Sequence, residues 1–536
     1  MRRTVAWSLI WLGACAVARP CRAAGDQAAR PNVIIILADD LGYGDVGCYN
    51  PDRGRIPTPR IDALASQGLR FTDGHSAAAA CSPSRYALLT GRYAWRTRMQ
   101  GGIVGMWEPP AIAPSRLTIA SLAAQAGYHT ACVGKWHLGW DWPIAPEDAP
   151  LFRHLGGPSG GGTIVAEPSA QHVAAWQRTF AQPIPGGPTA RGFAEYFGTD
   201  VPNWPPFCFI ENDQTAGVPS ALLPRDQVTK LLATAQGPAL AGWRLDAILP
   251  ALADHAGEVI AAQARRRQPF LLYVAITSPH TPIAVAKEWQ GRSSLGVPYA
   301  DFVMQTDAVV GSILDAVEAA GCTQDTLVVF TSDNGCETKV GIEALAEHGH
   351  FPSGPFRGFK RDVWEGGHRV PFIVRWPTVV KPGSVCDRTV CSVDLMATLA
   401  DILGEPLPPD AAEDSVSIMP LLRGAEGPAR KSLVHQSFSG VFAIRSGHWK
   451  LIFGPGSGLP DGTPAQLYDL ASDPGETRDV ADSHPEEVDR LRELMQRHAS
   501  EGRSTPGPPQ ANDVAVRIRK DSVRRKGMTG KAAAVP

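Results

Sequence analysis

The stretch Asn32-Val33-Ile34-Ile35-Ile36-Leu37 is a continuous apolar run in which β-branched residues dominate. A run without polar alternation is typical of a strand that is buried on both faces, as in a parallel sheet. Similar runs recur at 270–276, 326–330 and 370–374, and helical patterns lie between them at 60–67, 118–126, 254–266 and 301–320. Strands that alternate with helices predict an α/β sandwich around a large, mostly parallel central sheet.

The pattern changes after about residue 425. Two strand-like segments, 441–445 and 449–453, flank a turn and predict an antiparallel hairpin, and a helix is expected at 485–498. We therefore expect a main domain over 30–425 and a smaller C-terminal α+β subdomain, with an antiparallel sheet, over 426–505. The Pro-rich segment 506–536 is expected to be disordered. Residues 143–236, rich in Pro, Gly and Trp, are expected to form long loops over the active face.

The N-terminus predicts export. Arg2 and Arg3 precede a short apolar run at 5–17, and small residues follow it, as in a signal peptide over residues 1–24. The alternative is a lipoprotein signal, because Leu12-Gly13-Ala14-Cys15 resembles a lipobox and would anchor the chain at Cys15. We expect a periplasmic or extracellular protein, since no later stretch is long and apolar enough to span a bilayer.

Charge and cysteine content further restrict the class of protein. The formal net charge of −2 gives no basic excess that would favour nucleic acid as a partner. The ten cysteines are scattered without a CxxC pair, so their pairing cannot be deduced from spacing. Cys386 and Cys391 are close enough in sequence to form a bridge in an exported protein.

Polar side chains follow the predicted strands, at the edge where open α/β sheets bind their ligands. Four strand ends supply them, and the residues are Asp39, Asp40, Lys135, His137, His280, Asp333 and Asn334. The acids and the amide offer oxygen ligands, which suit calcium or magnesium and disfavour zinc. A single Asp in such a position more often caps a turn or helix. Two clusters favour a metal site.

The segment Ala80-Cys81-Ser82-Pro83-Ser84-Arg85 predicts the start of a helix, because proline is tolerated in the first helical turn. Arg85 follows Cys81 by four residues and would share its helix face. A helix N-terminus beside a guanidinium group is a ready anion site. The alternative is a buried structural cysteine and an exposed arginine.

Two longer segments carry a family resemblance. Cys81-Ser-Pro-Ser-Arg85, followed by Leu88-Leu-Thr-Gly91, and 127–137, which ends in Gly134-Lys135-Trp136-His137, resemble the two signatures of the type I, formylglycine-dependent sulfatases. Segments 31–45, 357–371 and 467–476 resemble further parts of that family in the same order. The resemblance implies an alkaline-phosphatase-like fold and a sulfuric ester hydrolase of the arylsulfatase type, with 30–425 as its catalytic domain.

The resemblance also implies roles for individual residues. A maturation enzyme would convert Cys81 to formylglycine, and the hydrated aldehyde would attack the sulfur of the ester. One calcium ion would be bound by a set of five residues, which are Asp39, Asp40, Cys81, Asp333 and Asn334. The sulfate would be surrounded by Arg85, Lys135, His137, His280 and Lys360. His280 is our choice for the acid that protonates the leaving oxygen, and His137 for the partner of the second diol hydroxyl.

The expected substrate is a sulfated small molecule or glycan. Trp140, Trp142, Trp176 and Trp204 either stack on sugar rings or anchor the loops by packing. Some members of this family have a contact serine in the loop that corresponds to residues 199–204. This chain has no serine in that loop, and Asn203 would take its place.

Three rival hypotheses remain at this point. One is a phosphonate or phosphodiester hydrolase of the same superfamily, and another is a non-catalytic glycan-binding pseudo-enzyme. The third is a hydrolase that uses the unmodified Cys81 thiol, which would require a His–Asn or His–Asp pair and no metal.

Overall fold

The computed structural model describes residues 30–153, 167–228, 234–427, 430–454 and 464–518. The expected signal peptide 1–24, with Cys15, lies outside these residues, as does the segment 519–536. Within them, no helix has the length and apolar character needed to cross a membrane.

The described residues form strands that we number in chain order. The first nine are β1 (Asn32–Asp39), β2 (Leu69–Phe71), β3 (Gly74–His75), β4 (His129–Lys135), β5 (Glu195–Thr199), β6 (Ile210–Glu211), β7 (Gln214–Thr215), β8 (Ala221–Leu222) and β9 (Pro238–Ala239). The remaining strands are β10 (Phe270–Pro279), β11 (Thr326–Ser332), β12 (Phe372–Arg375), β13 (Ser384–Cys386), β14 (Val390–Cys391), β15 (Leu433–Gln436), β16 (Phe442–Ser446), β17 (Trp449–Ile452) and β18 (Gln466–Asp469).

The α-helices are numbered in the same way. They are α1 (Pro59–Ser66), α2 (Cys81–Thr90), α3 (Ile119–Gln125), α4 (Ala170–Phe180), α5 (Ile248–Arg266), α6 (Pro298–Ala319), α7 (Ile342–Glu347), α8 (Glu365–His368), α9 (Leu395–Leu403), α10 (Met419–Leu422) and α11 (Pro485–Ser500).

The central sheet has ten strands in the order β13-β2-β12-β11-β1-β10-β4-β5-β6-β7. Its middle strands, β11, β1, β10, β4 and β5, are mutually parallel. Strand β12 pairs antiparallel with both β11 and β2, and β6 pairs antiparallel with β5. The predicted sandwich around a mostly parallel sheet is therefore confirmed, and the antiparallel pairs lie outside the parallel centre.

Strand β1 shows how the sheet separates two cores. Its side chains point alternately to opposite faces, as in any strand. Ile34 and Ile36 belong to the core packed against α1, α5 and α6, whereas Val33 and Ile35 belong to the core packed against α2, α3 and α9. All four side chains are buried, which explains why the run in the sequence carries no polar alternation.

The C-terminal part forms a separate four-stranded sheet in the order β15-β16-β17-β18, and all of its pairs are antiparallel. The predicted hairpin corresponds to β16 and β17, and Gly447 in its turn has a φ of 62°, which favours glycine. The helix predicted at 485–498 is α11, which packs on β16 and β17. The boundaries that we proposed, 30–425 and 426–505, stay our assignment of the domains.

Two expectations about loops and disulfides differ from the structure. In the described parts of 143–236, β5 belongs to the central sheet and α4 is a regular helix, so this stretch is not all loop. In β5, Tyr196 and Phe197 are adjacent apolar residues, so the sequence shows no alternation there. Cys386 and Cys391 are free thiols in β13 and β14, which belong to different sheets, so the expected bridge is not formed.

The expected disordered tail also differs, because residues 506–518 are described and lie against the main domain. Asp513 pairs with Arg92 at 3.0 Å, and Asn512 accepts a hydrogen bond from Arg96 at 3.0 Å. Both arginines are buried, and a buried guanidinium requires acceptors. We call residues 501–518 the C-terminal strap. Composition did not show that the strap supplies acceptors to arginines more than 400 positions away.

Asp414 connects this strap to the main domain, and its replacement by asparagine tests the connection. The buried carboxylate binds Arg96 through two contacts of 2.7 and 2.8 Å and also accepts from Ser504. Asp414→Asn leaves the buried Arg96 without its anionic partner, so we expect the free energy of unfolding to fall by about 3–5 kcal/mol. Urea denaturation measures the change. Asp410→Asn, at an exposed position, is the matched control, and equal midpoints for the two variants would contradict the prediction.

Candidate active site

The ends of the central parallel strands bring the predicted polar residues to one edge of the sheet. Strand β1 ends at Asp39, β4 at Lys135 and β10 at Pro279, directly before His280. Strand β11 ends at Ser332, and the backbone N–H of the following Asp333 donates to Ala38 of β1. Since β11, β1, β10 and β4 are neighbours, their carboxyl ends meet as the sequence predicted.

Close approach at this edge depends on Gly134. Its φ of 117° is rarely adopted by residues with side chains, and a Cβ there would lie 1.9 Å from the carbonyl oxygen of Ala275. Only glycine is compatible with both constraints. It therefore allows β4 to run beside β10 up to Lys135.

Helix α2 begins at Cys81, and all ten of its residues are buried. The Cys81 Sγ lies 3.7 Å from Oδ1 of Asp39, so the thiol faces the end of β1. One turn later, Arg85 reaches the same edge, where its Nη2 lies 2.8 Å from Asp333 Oδ2 and 3.4 Å from Asp39 Oδ1. The predicted helix start and the shared face of Cys81 and Arg85 agree with the structure.

Two lysines pair with the two aspartates that follow Leu37. Lys135 Nζ lies 2.7 Å from Asp39 Oδ2, and Lys360 Nζ lies 2.7 Å from Asp40 Oδ2. Both lysines and both acids are buried, so acids and cations form one neutralised cluster. Lys360 arrives from far along the chain, and its backbone N–H donates to the carbonyl oxygen of Cys336, just beyond β11.

Asp40 is the centre of the remaining contacts. His280 Nε2 lies 3.6 Å from Asp40 Oδ2, and Asn334 Nδ2 donates to Asp40 Oδ1 at 2.7 Å. The Asp40 backbone has a φ of 66°, and its N–H donates to Asp333 Oδ1 at 3.2 Å. Of the other five strand-end residues, the structure therefore brings four into direct contact with Asp39 or Asp40, and His137 is the exception.

The charged groups of this cluster shift one another's pKa values. Burial opposes ionisation of Asp39, but Lys135, His280 and Arg85 together hold its pKa well below the usual value. Burial and the nearby Asp39 together raise the pKa of Asp333 to about 7, although Arg85 opposes the rise. A divalent cation stabilises the ionised form of such neighbouring carboxylates.

The donor set fits a hard cation. Asp39, Asp40, Cys81 and His280 each present one ligand atom, and these atoms lie within 4.8 Å of one another. Asn334 Oδ1 is buried and has no hydrogen-bond partner among the described residues, although its amide nitrogen is bonded. An unpaired buried carbonyl oxygen beside three carboxylates matches the oxygen ligands that calcium and magnesium require.

Burial also determines the state of the Cys81 thiol. It raises the pKa of Cys81 to about 12, and Lys135 and Lys360 oppose the rise. At neutral pH the group is therefore a protonated thiol, which is neither nucleophile nor metal ligand. This observation argues against a hydrolase that uses the unmodified thiol.

His137 lies just beyond β4 and has a φ of 55°. Its Nε2 lies 3.2 Å from the carbonyl oxygen of Val104, which requires the proton on Nε2, and its Nδ1 is buried without a hydrogen-bond partner in the described chain. Burial lowers the pKa of His137 well below the usual value, with Lys135 and Arg85 acting in the same direction. The side chain is therefore a neutral imidazole with a free acceptor.

Asp200 supports His137 and was not singled out from the sequence. The buried carboxylate accepts hydrogen bonds from the His137 N–H and from Trp140 Nε1, each at 3.2 Å. No pattern signals this role, because it depends on the loop after β5 folding back beneath the loop after β4. Asn203, which we named as a substitute contact, lies in the same loop and is buried.

The pH dependence of stability tests the Asp200 assignment. Burial raises the pKa of Asp200 to about 6, although Trp140, His137 and Lys135 oppose the rise. The folded protein thus binds this proton more tightly than the unfolded chain, and stability falls as pH rises from about 4 to about 6. The contribution is about 2–3 kcal/mol, and Asp200→Asn should remove it while keeping an acceptor oxygen.

Chemical denaturation at a series of pH values measures this difference. Asp52→Asn, at an exposed position, is the control and should retain the wild-type pH dependence. Identical pH profiles for wild type and Asp200→Asn would refute the assignment.

The four tryptophans separate into two groups. Trp140 and Trp176 are fully buried, and Trp142 packs against Trp107 and Phe180, so these three anchor the loops by packing. Trp204 is half-buried, and its ring is T-shaped to that of His137 with centroids 5.6 Å apart. Of the four, Trp204 is the one whose ring packs against a predicted site residue, His137.

Comparisons with known proteins agree with this geometry. The model of the sulfatase family matches residues 31–405, and the model of the C-terminal part of N-sulphoglucosamine sulphohydrolase matches residues 347–501. The chain is 33% identical to N-acetylgalactosamine-6-O-sulfatase of Bacteroides thetaiotaomicron, with 88% of this chain and 94% of that protein covered. It is 34% identical to human arylsulfatase A, with 92% and 94% covered.

Solved structures show the same relationship. A structure from work on glycosaminoglycan metabolism by Bacteroides thetaiotaomicron superposes with a TM-score of 0.74 at 31% identity, and covers 88% of this chain and 99% of that one. A phosphonate monoester hydrolase from Silicibacter pomeroyi superposes with a TM-score of 0.57 at 19% identity, over 87% and 95%. The likeness to the phosphonate monoester hydrolase shows only that the two proteins share a fold.

Proposed function

The chain belongs to the sulfatase family and hydrolyses sulfate esters, and on this premise we propose that its substrates are sulfated carbohydrates. The observation that carries the reaction is the buried cluster in which Cys81 faces Asp39 while Arg85 approaches from the same helix and Lys135 and Lys360 from two other segments. Such a cluster combines a nucleophile position, a cation site and positive charge for a transferring sulfuryl group.

We assign one calcium ion to the oxygen ligands of Asp39, Asp40, Asp333 and Asn334, with Cys81 in its modified form as the fifth ligand. The unpartnered Asn334 Oδ1 and the mutual proximity of the carboxylates support this assignment. Calcium is favoured over magnesium because it accepts more ligands with less regular geometry. When bound, the ion supplies positive charge to the attacking group and to the sulfate oxygens.

Formylglycine at position 81 is the second part of the proposal. The pKa of the Cys81 thiol, raised to about 12, leaves the unmodified side chain inert, whereas a hydrated aldehyde supplies hydroxyl groups for attack on sulfur. A formylglycine-generating maturation enzyme is then a required partner. Export of the chain to the periplasm or beyond, with or without a lipid at Cys15, stays part of the proposal.

The side chains of this chain would do the following work. Arg85, Lys135 and Lys360 bind and neutralise the sulfate oxygens. His280 protonates the leaving oxygen: burial lowers its pKa to about 4, and an arriving sulfate monoanion raises the affinity for a proton. His137 accepts a proton at Nδ1, since Nε2 donates to the carbonyl oxygen of Val104.

The rival within the superfamily is a phosphonate or phosphodiester hydrolase. Paired assays on a sulfate ester and a phosphate ester of one chromogenic alcohol separate the two activities. We expect the sulfate ester to have the higher kcat/KM, and the reverse order would reject the sulfatase assignment. A protein without activity on either ester, but with affinity for sulfated glycans, would be a binding pseudo-enzyme.

The substrate class rests on the relatives. The Bacteroides relative at 33% identity is named for N-acetylgalactosamine 6-O-sulfate, and the half-buried Trp204 beside His137 offers an aromatic face to a sugar ring. A panel of mono- and disaccharides sulfated at defined positions tests this. Turnover of sulfated sugars above that of an aryl sulfate supports the proposal, whereas turnover of aryl or steryl sulfates alone contradicts it.

A further inference from the structure

Three histidines form a second buried cluster, separate from the active site. His75 ends β3, His368 ends α8, and His435 lies in β15 of the C-terminal sheet. All three side chains are fully buried. We call this group the His75–His368–His435 cluster. It lies where the main domain meets the C-terminal sheet.

The ring nitrogens of the cluster are close enough to share an ion. The Nδ1 atoms of His75 and His368 lie 3.2 Å apart, and one nitrogen from each of the three rings falls within 4.8 Å of the others. Two imidazole nitrogens on one zinc ion, each about 2.0–2.1 Å from the metal, are separated by a similar distance. The third nitrogen, from His435, would reach the ion by rotation of its ring.

The outer hydrogen bonds resemble those of metal-bound histidines. His75 Nε2 lies 2.8 Å from Asp73 Oδ1, and His368 Nε2 lies 3.1 Å from the carbonyl oxygen of Val363. When a carboxylate or carbonyl accepts the proton of one ring nitrogen, the other nitrogen carries a lone pair. With the protons on both Nε2 atoms, the two Nδ1 atoms would present lone pairs toward each other, an arrangement that a cation between them stabilises.

His435 provides the main argument for a bound ion. Lys450 Nζ also lies 3.1 Å from His368 Nε2, so His75 and His368 can satisfy each other's hydrogen bonds without a metal. His435 cannot, because both of its ring nitrogens are buried and neither has a partner among the described residues. Its ring stacks on that of His368 with centroids 3.5 Å apart and an interplanar angle of 12°, so a shared ion requires the His435 ring to turn out of this stack.

Carboxylates lie beside the cluster, and each is paired with a cationic side chain. Asp73, His75 and Glu365 also present ligand atoms within 4.8 Å of one another. Glu365 is paired with Lys450 at 2.9 Å, and Asp73 with Arg445 and Arg369 at 2.8 and 3.1 Å.

From this geometry we propose that the His75–His368–His435 cluster binds one transition-metal ion of the zinc class, as a structural site. Imidazole ligands select zinc and its neighbours, whereas the oxygen ligands of the active site select calcium. The absence of solvent exposure at all three histidines favours a closed structural site over a catalytic one. This proposal does not depend on the substrate or on the chemistry at Cys81.

The ion would join the segments that carry two active-site residues. His75 precedes Cys81 by six positions, and Ala78 between them forms a β-bridge with Gln436, the neighbour of His435. The Ser76 N–H donates to the carbonyl oxygen of His368, which follows Lys360 on the same chain segment. The metal would therefore fasten the Cys81 and Lys360 segments to the C-terminal sheet.

Metal analysis of the full chain tests the proposal. The protein is dialysed against a chelator and then against Zn²⁺ or Co²⁺, and the bound metal is counted by mass spectrometry of the elements. We expect one equivalent of Zn²⁺ per chain, visible absorption bands of protein-bound Co²⁺, and a rise in Tm of about 5 °C or more at saturating Zn²⁺. A wild-type protein that binds neither ion at this stoichiometry overturns the proposal, whatever the variants do.

His435→Asn identifies the site. It should lose the equivalent of Zn²⁺, the Co²⁺ bands and the thermal shift, whereas His255→Asn, outside the cluster on α5, should keep all three. Asp40→Asn, which alters the active-site cluster, should also keep them. Zn²⁺ binding that persists in His435→Asn and disappears in Asp40→Asn would place the ion at the active site and reject the proposal.

Discussion

We expect the Cys81→Ala protein to lose sulfate ester hydrolysis by at least about 10⁴-fold in kcat/KM, because removing a covalent nucleophile leaves only binding and charge stabilisation. The fold should persist, since alanine fits the space of a thiol whose one polar contact is the 3.7 Å approach to Asp39. Initial rates on a chromogenic sulfate ester and the Tm of the same preparation measure the two effects.

Cys208→Ala is the matched control for this variant. Cys208 is also a fully buried thiol, and burial raises its pKa in the same way, but it lies in the loop after β5. It should retain wild-type activity. Peptide mass spectrometry of active wild-type protein provides the complementary result: a peptide in which Cys81 is still a thiol would refute the formylglycine mechanism even if Cys81→Ala were inactive.

The second large effect is expected at Asp40. Asp40→Asn removes a negative ligand from the proposed calcium site and leaves buried Lys360 without its carboxylate partner. We expect kcat/KM to fall by at least about 10³-fold, because positive charge at the reacting group is lost. The unpaired lysine should also lower the free energy of unfolding by about 3–5 kcal/mol.

A chelator distinguishes the loss of the metal from the loss of stability in this experiment. Dialysis against EGTA should inactivate the wild type, and added Ca²⁺ should restore it, whereas Asp40→Asn should not respond to Ca²⁺. Asp148→Asn, which breaks a remote pair with Arg178, is the matched control and should behave as wild type. Full wild-type activity after exhaustive chelation would contradict a metal-dependent reaction.

Much of the site could be predicted because the rule that governs it is topological. Parallel neighbours deliver the residues after β1, β4, β10 and β11 to one edge, whatever the loops do. Cys81 and Arg85 were similarly accessible, since Pro83 and the four-residue spacing define the first turn of a helix. Lys360 was placed by resemblance alone, because no local pattern brings it to Asp40.

The features that the sequence did not reveal depend on contacts between distant segments. Asp200 acts through the fold of one loop beneath another, and the C-terminal strap is ordered by acceptors for Arg92 and Arg96. The composition of a segment indicates its own conformational preference. It does not indicate which groups of other segments it contacts. For the same reason Trp140 and Trp176 read equally well as sugar platforms and as packing anchors until their burial was known.

The burial of Cys81 also determines when this residue can be modified during biosynthesis. The side chain is 1% exposed, and the segment before it is held by a bridge between Ala78 and Gln436. Any enzyme that acts on Cys81 therefore has to reach it before this part of the chain folds. We expect purified unmodified chains, once refolded, to resist modification by such an enzyme.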